Sequence, residues 1–160
     1  MFHEIEDIEQ ERIRLSRRPS AEKAPPVLSV FDVRTDGPVS EFDARLRSVL
    51  APALHLAVSH PFEGDLPVDT LPDWFVAAPQ ADWRPQEWLY QFDPESEFRG
   101  WAWWDLTRSG ERGARIWVDS WGESFFACDE LRWAAHVSGA EAVDGPVLAR
   151  AGDWIAATAS

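Results

Sequence analysis

The sequence predicts a single α+β domain in which helices pack on an antiparallel sheet of about four to six strands. Three observations predict this fold class. Segments with strand-like alternation cluster between residues 87 and 121, segments with helical periodicity flank them, and adjacent strands are joined by loops of hairpin length. A chain of 160 residues with 45% hydrophobic content also has enough apolar surface for one core.

The first 26 residues are predicted to form a helix and a linker, and residues 27–160 the globular domain. Between residues 2 and 15 the acidic side chains come first and the arginines last, which favours a helix through its macrodipole. The apolar stripe of this helix is thin and consists of Phe2, Ile5, Ile8 and Leu15. We therefore expect the helix to dock on the domain or on a partner, and the proline-containing residues 18–26 to be a linker.

The first half of the domain contains a short strand and a longer helix. Residues 27–33 read as a strand that ends at the Thr-Asp-Gly-Pro turn of residues 35–38. The next segment has helical spacing of its apolar residues, begins at the capping residue Ser40 and is expected to stop at Pro52. Residues 55–59 are predicted to add a strand.

Residues 61–97 differ in composition from the rest of the chain, with six prolines and nine acidic residues against the single basic residue Arg84. This segment is predicted to be loop-rich and strongly negative. Pro72 is expected to start a short helical turn that carries Trp74 and Phe75 towards the core. The alternating residues 87–92 predict a strand. The acidic residues are Glu63, Asp65, Asp69, Asp73, Asp82, Glu87, Asp93, Glu95 and Glu97.

The most informative part of the sequence is a hairpin predicted from residues 98–106 and 114–121, joined by a loop with two glycines. Strict alternation places four tryptophans and four charges on one face, which we call the tryptophan face. A register symmetric about the loop would pair Asp105 with Arg115 and Trp103 with Trp117. The tryptophan face consists of Arg99, Trp101, Trp103, Asp105, Arg115, Trp117, Asp119 and Trp121. The opposite face, with Phe98, Ala102, Trp104, Leu106, Ile116 and Val118, is predicted to be core.

Two interpretations of the tryptophan face remain open at this point. It is a recognition surface if the rings are exposed, because four exposed tryptophans exceed the apolar patch that a monomer normally carries. It is a second buried layer if a helix covers it, either the N-terminal helix or the helix predicted at residues 129–138. The latter helix is expected to have Asp129 as its cap and Gly139 as its stop, and residues 142–148 to form a last small hairpin.

Charge and cysteine content restrict the class of partner. The net charge of −13 makes nucleic acid an unexpected ligand, because phosphate binding requires clustered basic residues, and it makes a basic protein the natural complement. The single cysteine, Cys128, permits no intramolecular disulfide and suggests a reducing compartment. The first residues are acidic where a signal peptide would be basic, and no apolar run approaches the ~20 residues of a membrane span. We expect a soluble cytoplasmic protein with no membrane partner.

The sequence predicts no catalytic residue, cofactor or metal ligand. The histidines lack ligand spacing, and Cys128 has no cysteine or histidine pair beside it. Ser124 lies in a Gly-Glu-Ser-Phe-Phe segment that lacks the second glycine of a hydrolase elbow. Asp105 and Asp119 are residue types that a glycosidase uses beside stacking rings, although pairing with Arg115 would take Asp105 out of that role.

The leading hypothesis is an acidic protein-binding protein, of the bacterial immunity or antitoxin type, that covers a basic toxin or enzyme. The alternative is a small-molecule or carbohydrate-binding protein, or a hydrolase, that uses the same rings as a stacking platform. A third interpretation is a subunit whose N-terminal helix joins a homo-oligomer. The residues predicted to contact a partner are Trp101, Trp103, Asp105, Arg115, Trp117, Asp119, Trp121, Glu63, Asp65, Asp69, Asp93 and Glu95.

Overall fold

The computed structural model describes residues 3–79 and 83–159, so Phe2 and Asp82 lie outside the described residues. Single turns of 3-10 helix occupy Ala21–Lys23 and Val68–Thr70. In chain order the helices and strands are α1 (Ile5–Ser16), β1 (Val27–Thr35), α2 (Val39–Ser59), α3 (Asp73–Val76), α4 (Pro85–Tyr90), β2 (Ala102–Arg108), β3 (Gly113–Asp119), α5 (Asp129–Val137), β4 (Ala140–Arg150) and α6 (Ala151–Thr158).

The four strands form one antiparallel sheet in the order β2-β3-β1-β4. The predicted fold class is therefore confirmed, with helices on an antiparallel sheet. The predicted strand at β1, the hairpin of β2 and β3, the short helix α3 and the helix α5 are all present. The backbone of Gly139 has a φ of 121°, so a glycine ends α5, as predicted.

The main core lies between one face of the sheet and helices α2 and α5. Helix α2 contributes most to it, because nine of its side chains are buried. Helix α1 packs on α2 and on β2, where it buries Ile8 and Leu15. The N-terminal helix thus docks on the domain through Ile8 and Leu15 of the predicted stripe, whereas Ile5 is 48% exposed.

A second, smaller core covers the opposite face of the sheet. It consists of Leu28, Trp104, Trp117 and Trp154. Helix α6, which the sequence pattern did not predict, follows β4 directly and supplies Trp154. The rings of Trp154 and Trp104 meet edge to face with their centroids 5.3 Å apart. Both faces of the sheet are therefore covered.

A one-residue irregularity in β2 changes which side each tryptophan faces. Trp103 lies opposite Val118 and Asp105 opposite Trp117, so Trp104 is an extra residue in the ladder. Trp101 and Trp103 consequently belong to the main core, and Trp104 and Trp117 to the second one. The predicted strict alternation is wrong here, and so is the symmetric register, because the bulge shifts every residue that precedes it in β2 to the other face.

Two predicted strands are helical. Residues 55–59 continue α2 through Pro52, because the helix keeps burying apolar side chains on both sides of the proline and loses only one backbone hydrogen bond there. Residues 87–90 belong to α4, which has Pro85 in its first turn and buries Trp88 and Leu89.

The predicted hairpin at residues 142–148 is one continuous strand, β4. Gly145 has a φ of 118°, and the register against β1 shifts between Val30 and Asp32. A Cβ on Gly145 would lie 2.8 Å from the carbonyl oxygen of Val30, so only glycine fits this approach. The Asp-Gly-Pro segment thus forms a bulge inside a strand instead of a turn between two strands.

Candidate functional site

Four residues predicted to contact a partner are buried: Trp101, Trp103, Asp105 and Trp117, each no more than 2% exposed. Their burial shows that the recognition-surface interpretation of the tryptophan face is wrong and that these rings form buried layers. It also removes the platform on which the carbohydrate-binding alternative depended. The indole N–H of Trp117 donates to the hydroxyl of Thr107 at 2.8 Å, within the protein.

Asp105 is an internal ion-pair partner. Its Oδ2 accepts hydrogen bonds of 2.8 Å from Arg18 Nε and from Trp154 Nε1, and Oδ1 lies 3.7 Å from Arg47 Nη2. Arg115 pairs instead with Asp32 on β1, at 3.0 Å, because those residues face each other across the two strands. The predicted pairing of Asp105 with Arg115 is therefore wrong.

Helix α1 and the residues just after it cover the outer edge of β2 with charged side chains. Glu11 Oε2 accepts the backbone N–H of Trp103 at 2.6 Å, and Arg14 Nε donates to the carbonyl of Trp103 at 2.8 Å. Arg18 Nη2 donates to the carbonyl of Leu106 at 3.2 Å. These bonds occupy backbone groups that an edge strand would otherwise offer to another chain.

Exposed aromatic side chains occur at the end of the sheet where β2 begins and β3 ends. Phe125 is 94% exposed, Phe98 54% and Trp121 41%. The backbone N–H of Gly100 donates to the carbonyl of Ala127 at 3.0 Å, which brings the segment of Phe98 beside that of Phe125. We call Phe98, Trp121 and Phe125 the aromatic end. The predicted place of Phe98 in the core is wrong, because Phe98 precedes the first residue of β2 and is 54% exposed.

The loop that carries Phe125 is fixed at several points. The ring of Phe126, the next residue, packs edge to face against Phe31 with centroids 6.3 Å apart. The hydroxyls of Ser29 and Ser120 share a hydrogen bond of 2.6 Å, and Ser120 Oγ also bonds the carbonyl of Glu123. With the ring of Phe126 packed inward on Phe31, the neighbouring Phe125 is left in solvent, on a loop that these contacts hold to the sheet.

Trp121 has a backbone conformation that is rare for a bulky residue. Its φ is 54°, in the left-handed region, and its backbone N–H donates to Asp119 Oδ1 at 2.9 Å. Its ring meets that of His3 edge to face, with centroids 5.4 Å apart. His3 Nε2 donates to the carbonyl of Arg99, and burial lowers the pKa of His3, so its ring is neutral at pH 7.

A buried ion pair positions the segment that leads to Phe98. Arg99 Nη1 donates to Glu11 Oε2 at 2.6 Å, and its guanidinium lies over the rings of Phe92 and Trp101, at 5.2 and 5.0 Å from their centroids. The ring faces compensate part of the desolvation of the cation. The neighbouring Phe98 is thereby held on an anchored backbone.

The structure brings three of the predicted acidic contact residues together. Glu63, Asp93 and Glu95 line a cleft of about 1010 Å³, which Glu4 and His3 also line. We call this the acidic cleft. Because His3 both lines it and contacts Trp121, the acidic cleft adjoins the aromatic end. The predicted residues Asp65 and Asp69 are exposed but do not line this cleft.

Buried ionisable groups give the site little nucleophilic chemistry. Burial raises the pKa of the Cys128 thiol, which keeps it protonated. Burial also raises the pKa of Glu130 to about 7, and the indole N–H of Trp101 donates to its Oε1. Among residues 3–79 and 83–159, no three His, Cys, Asp or Glu side chains are grouped to hold a metal ion. None of the helices in these ranges is both long and apolar enough to cross a membrane.

The sequence pattern predicts neither Phe125 nor Phe98 as an exposed aromatic residue. No periodic signal marks Phe125, because residues 122–128 lie between the predicted hairpin and the predicted helix, where side-chain direction does not follow a regular pattern. The chain matches no known family model, no curated protein and no solved structure.

Proposed function

We propose that this chain is an acidic protein-binding protein, an inhibitor of the bacterial immunity or antitoxin type that covers a basic toxin or enzyme in the cytoplasm. The observation that carries the proposal is the aromatic end, above all Phe125, which is 94% exposed on a loop held by the contacts of Ser120 and Phe126. An exposed aromatic ring on a preorganised loop is typical of an interface anchor, since little entropy is lost when it binds.

Charge supports a basic partner. The chain has a net charge of −13, and the acidic cleft adjoins the aromatic end. A partner with an apolar pocket surrounded by lysine and arginine would contact both regions at once. Enzymes that act on nucleic acids carry such basic surfaces, and an acidic protein can occupy them in place of the polyanion.

The test uses a photo-crosslinking amino acid at position 125 of the full chain, in lysate from the source cells, to identify the bound protein covalently. The purified pair is then measured by surface plasmon resonance with the Phe125→Ala variant. We expect a protein with a strongly basic surface, and a rise in Kd of about 30-fold for Phe125→Ala, the size typical of a hot-spot residue.

The matched control is Val147→Ala, which truncates another exposed apolar side chain, 62% exposed, on strand β4. It should leave the Kd unchanged, and both variants should keep the wild-type thermal unfolding midpoint. The proposal is wrong if the crosslinked protein is acidic, or if Phe125→Ala binds as tightly as Val147→Ala.

A further inference from the structure

We propose that the acidic cleft receives a protruding basic peptide segment of the partner protein. This inference rests on the proposed function, because the segment belongs to the basic protein proposed above. The contact has a shape opposite to that of Phe125, which projects from this chain, whereas the cleft is concave and has to be filled by chain that projects from the partner. The cleft volume of about 1010 Å³ lies at the upper end of the roughly 300–1,000 Å³ of ligand clefts in proteins, so a short extended segment fits.

Negative charge in the acidic cleft is not balanced by basic side chains. No lysine or arginine of the described residues lines the cleft. Residues 57–60, at the end of α2, also line it, and the last turn of this helix contains no basic residue. The partial negative charge of the helix end therefore adds to that of the carboxylates. These carboxylates belong to Glu4, Glu63, Asp93 and Glu95.

The carboxylates are spread along the cleft and are not gathered at one point. Over residues 3–79 and 83–159, no three acidic, histidine or cysteine side chains come close enough together to hold a metal ion. A metal ion needs its ligands within about 2.6 Å of one centre, whereas a segment with several basic side chains can pair with separated carboxylates one at a time. The arrangement therefore fits an extended polycation better than a single ion.

Apolar side chains in the cleft favour a peptide over a small polyamine. Ile5 lines the cleft and is 48% exposed on α1. Phe62 lines it too, with its ring edge to face against that of Tyr90 at 5.9 Å between centroids, and so do Pro61 and Pro94. Apolar side chains of a bound segment, and the aliphatic stems of its arginines and lysines, therefore have a surface to pack on between the carboxylates.

His3 supplies an unpaired acceptor at the same cleft. Its side chain is 7% exposed, and Nε2 donates to the carbonyl of Arg99 at 2.8 Å, which leaves Nδ1 as an acceptor on a neutral ring. Nδ1 forms no hydrogen bond with any described residue, and it is not one of their unpaired polar atoms that are sealed from solvent. A basic side chain or a backbone N–H of the bound segment can donate to it.

The experiment is isothermal titration of the full chain with the peptide acetyl-Arg-Leu-Arg-Leu-Arg-amide, in about 50 mM NaCl to limit screening. The same peptide with citrulline in place of arginine keeps the shape without the charge, and spermidine has the charge of the peptide without its apolar side chains. We expect the arginine peptide to bind with a Kd below about 1 mM, and the two other probes to bind at least about tenfold more weakly. Equal binding of spermidine would overturn the choice of a peptide, and equal binding of the citrulline peptide would overturn the role of charge.

The variant is Glu63→Gln combined with Glu95→Gln, which removes exposed carboxylates from the cleft. The matched control is Asp65→Asn combined with Asp69→Asn, which removes exposed carboxylates of the same acidic part of the sequence that do not line the cleft. We expect the first pair to weaken binding of the arginine peptide at least about fivefold, and the control pair to change it less than about twofold. Equal loss in the two pairs, or no binding of the arginine peptide to the wild type, would overturn the proposal.

These readouts separate the role of the cleft from the proposed function, because they use neither Phe125 nor an identified partner. If the arginine peptide fails to bind while crosslinking at position 125 captures a basic protein, the acidic cleft is not the site of a basic segment and the proposed function stands. If the peptide binds in the cleft while the protein crosslinked at position 125 is acidic, the proposed function is wrong although the cleft binds basic peptides.

Discussion

Adjacent side chains in this protein have opposite environments. Phe126 packs against Phe31, whereas Phe125 is in solvent, and the difference is set by a loop fixed through Ser120. Composition predicted that aromatic residues would carry the interface, and this stays a prediction. The sequence pattern assigned this role to Trp103 and Trp117, which are buried inside the molecule.

Glu130 gives a prediction at the scale of one residue. Its pKa is about 7 in the folded protein because it is buried, against an ordinary value of 4.5. The folded state therefore binds the Glu130 proton more tightly than the unfolded state does. The stability that this tighter proton binding provides is fully present below pH 4.5 and is lost as the pH rises through 7. We expect Glu130→Gln to raise the free energy of unfolding at pH 8 by up to about 3 kcal/mol, and to change it little at pH 4.5.

Urea unfolding of the wild type and of Glu130→Gln between pH 4.5 and pH 8 measures the difference in their free energies of unfolding. Glutamine keeps an acceptor for the indole N–H of Trp101, and the nearby charges of Arg99 and Asp129 are the same in both proteins. The lowered pKa of His3 contributes the same pH dependence to both proteins, so it cancels in the difference between them. The exposed Glu123→Gln is the control and should show no such pH dependence; a pH-independent effect of Glu130→Gln would contradict the assignment.

At the scale of elements, helix α6 decides how the hairpin is covered. Its Trp154 ring packs against Trp104, and the indole N–H of Trp154 donates a hydrogen bond to Asp105. The sequence pattern predicted a cover from α1 or α5. It did not predict α6, because the eight residues of this helix are rich in alanine and carry one large buried side chain. A helix so short is marginal alone and is stabilised by this packing.

Trp154→Ala should lower the free energy of unfolding by about 3–5 kcal/mol, because it leaves a cavity in the second core and removes a donor from buried Asp105. Trp154→Phe keeps most of the packing and should cost about 1–3 kcal/mol through the lost hydrogen bond. The urea midpoint measures both. Ile155→Ala, on the exposed side of the same helix, should change it by less than about 1 kcal/mol. Equal effects at positions 154 and 155 would show that α6 does not form the second core.

At the scale of the whole molecule, the net charge of −13 acts in two opposite ways. The negative side chains repel one another in the compact state, which lowers the free energy of unfolding. They also attract a basic partner over long range. The charge is unevenly distributed, since Glu4, Glu63, Asp93 and Glu95 all line the acidic cleft, which no lysine or arginine of the described residues lines.

Raising NaCl from about 50 mM to about 500 mM should therefore separate the two effects, because it shortens the screening length to a few ångströms. We expect the association rate with the basic partner to fall at least about tenfold, and the thermal unfolding midpoint of the free chain to stay constant or rise. Stopped-flow association and calorimetry measure these. A partner whose association rate is insensitive to salt would contradict the electrostatic part of the proposed function.

Much of the fold follows from local patterns. The strand β1, the α2 helix up to Pro52, the turn at α3 and the β2–β3 hairpin were predictable because period and turn chemistry are properties of neighbouring residues. The candidate site was predictable only in part. Glu63, Asp93 and Glu95 do share a cleft, but His3 joins it from the far end of the chain, through a contact that no local pattern encodes.

The sequence by itself determined the fold class, the hairpin and the negative charge of this protein. Tertiary structure decided which aromatic rings are inside. One extra residue at Trp104 shifts Trp101 and Trp103 to the other face, and α6 then covers the rings that remain. The physical reason is that side-chain direction in a strand depends on register against the partner strand, and burial depends on which helix packs there.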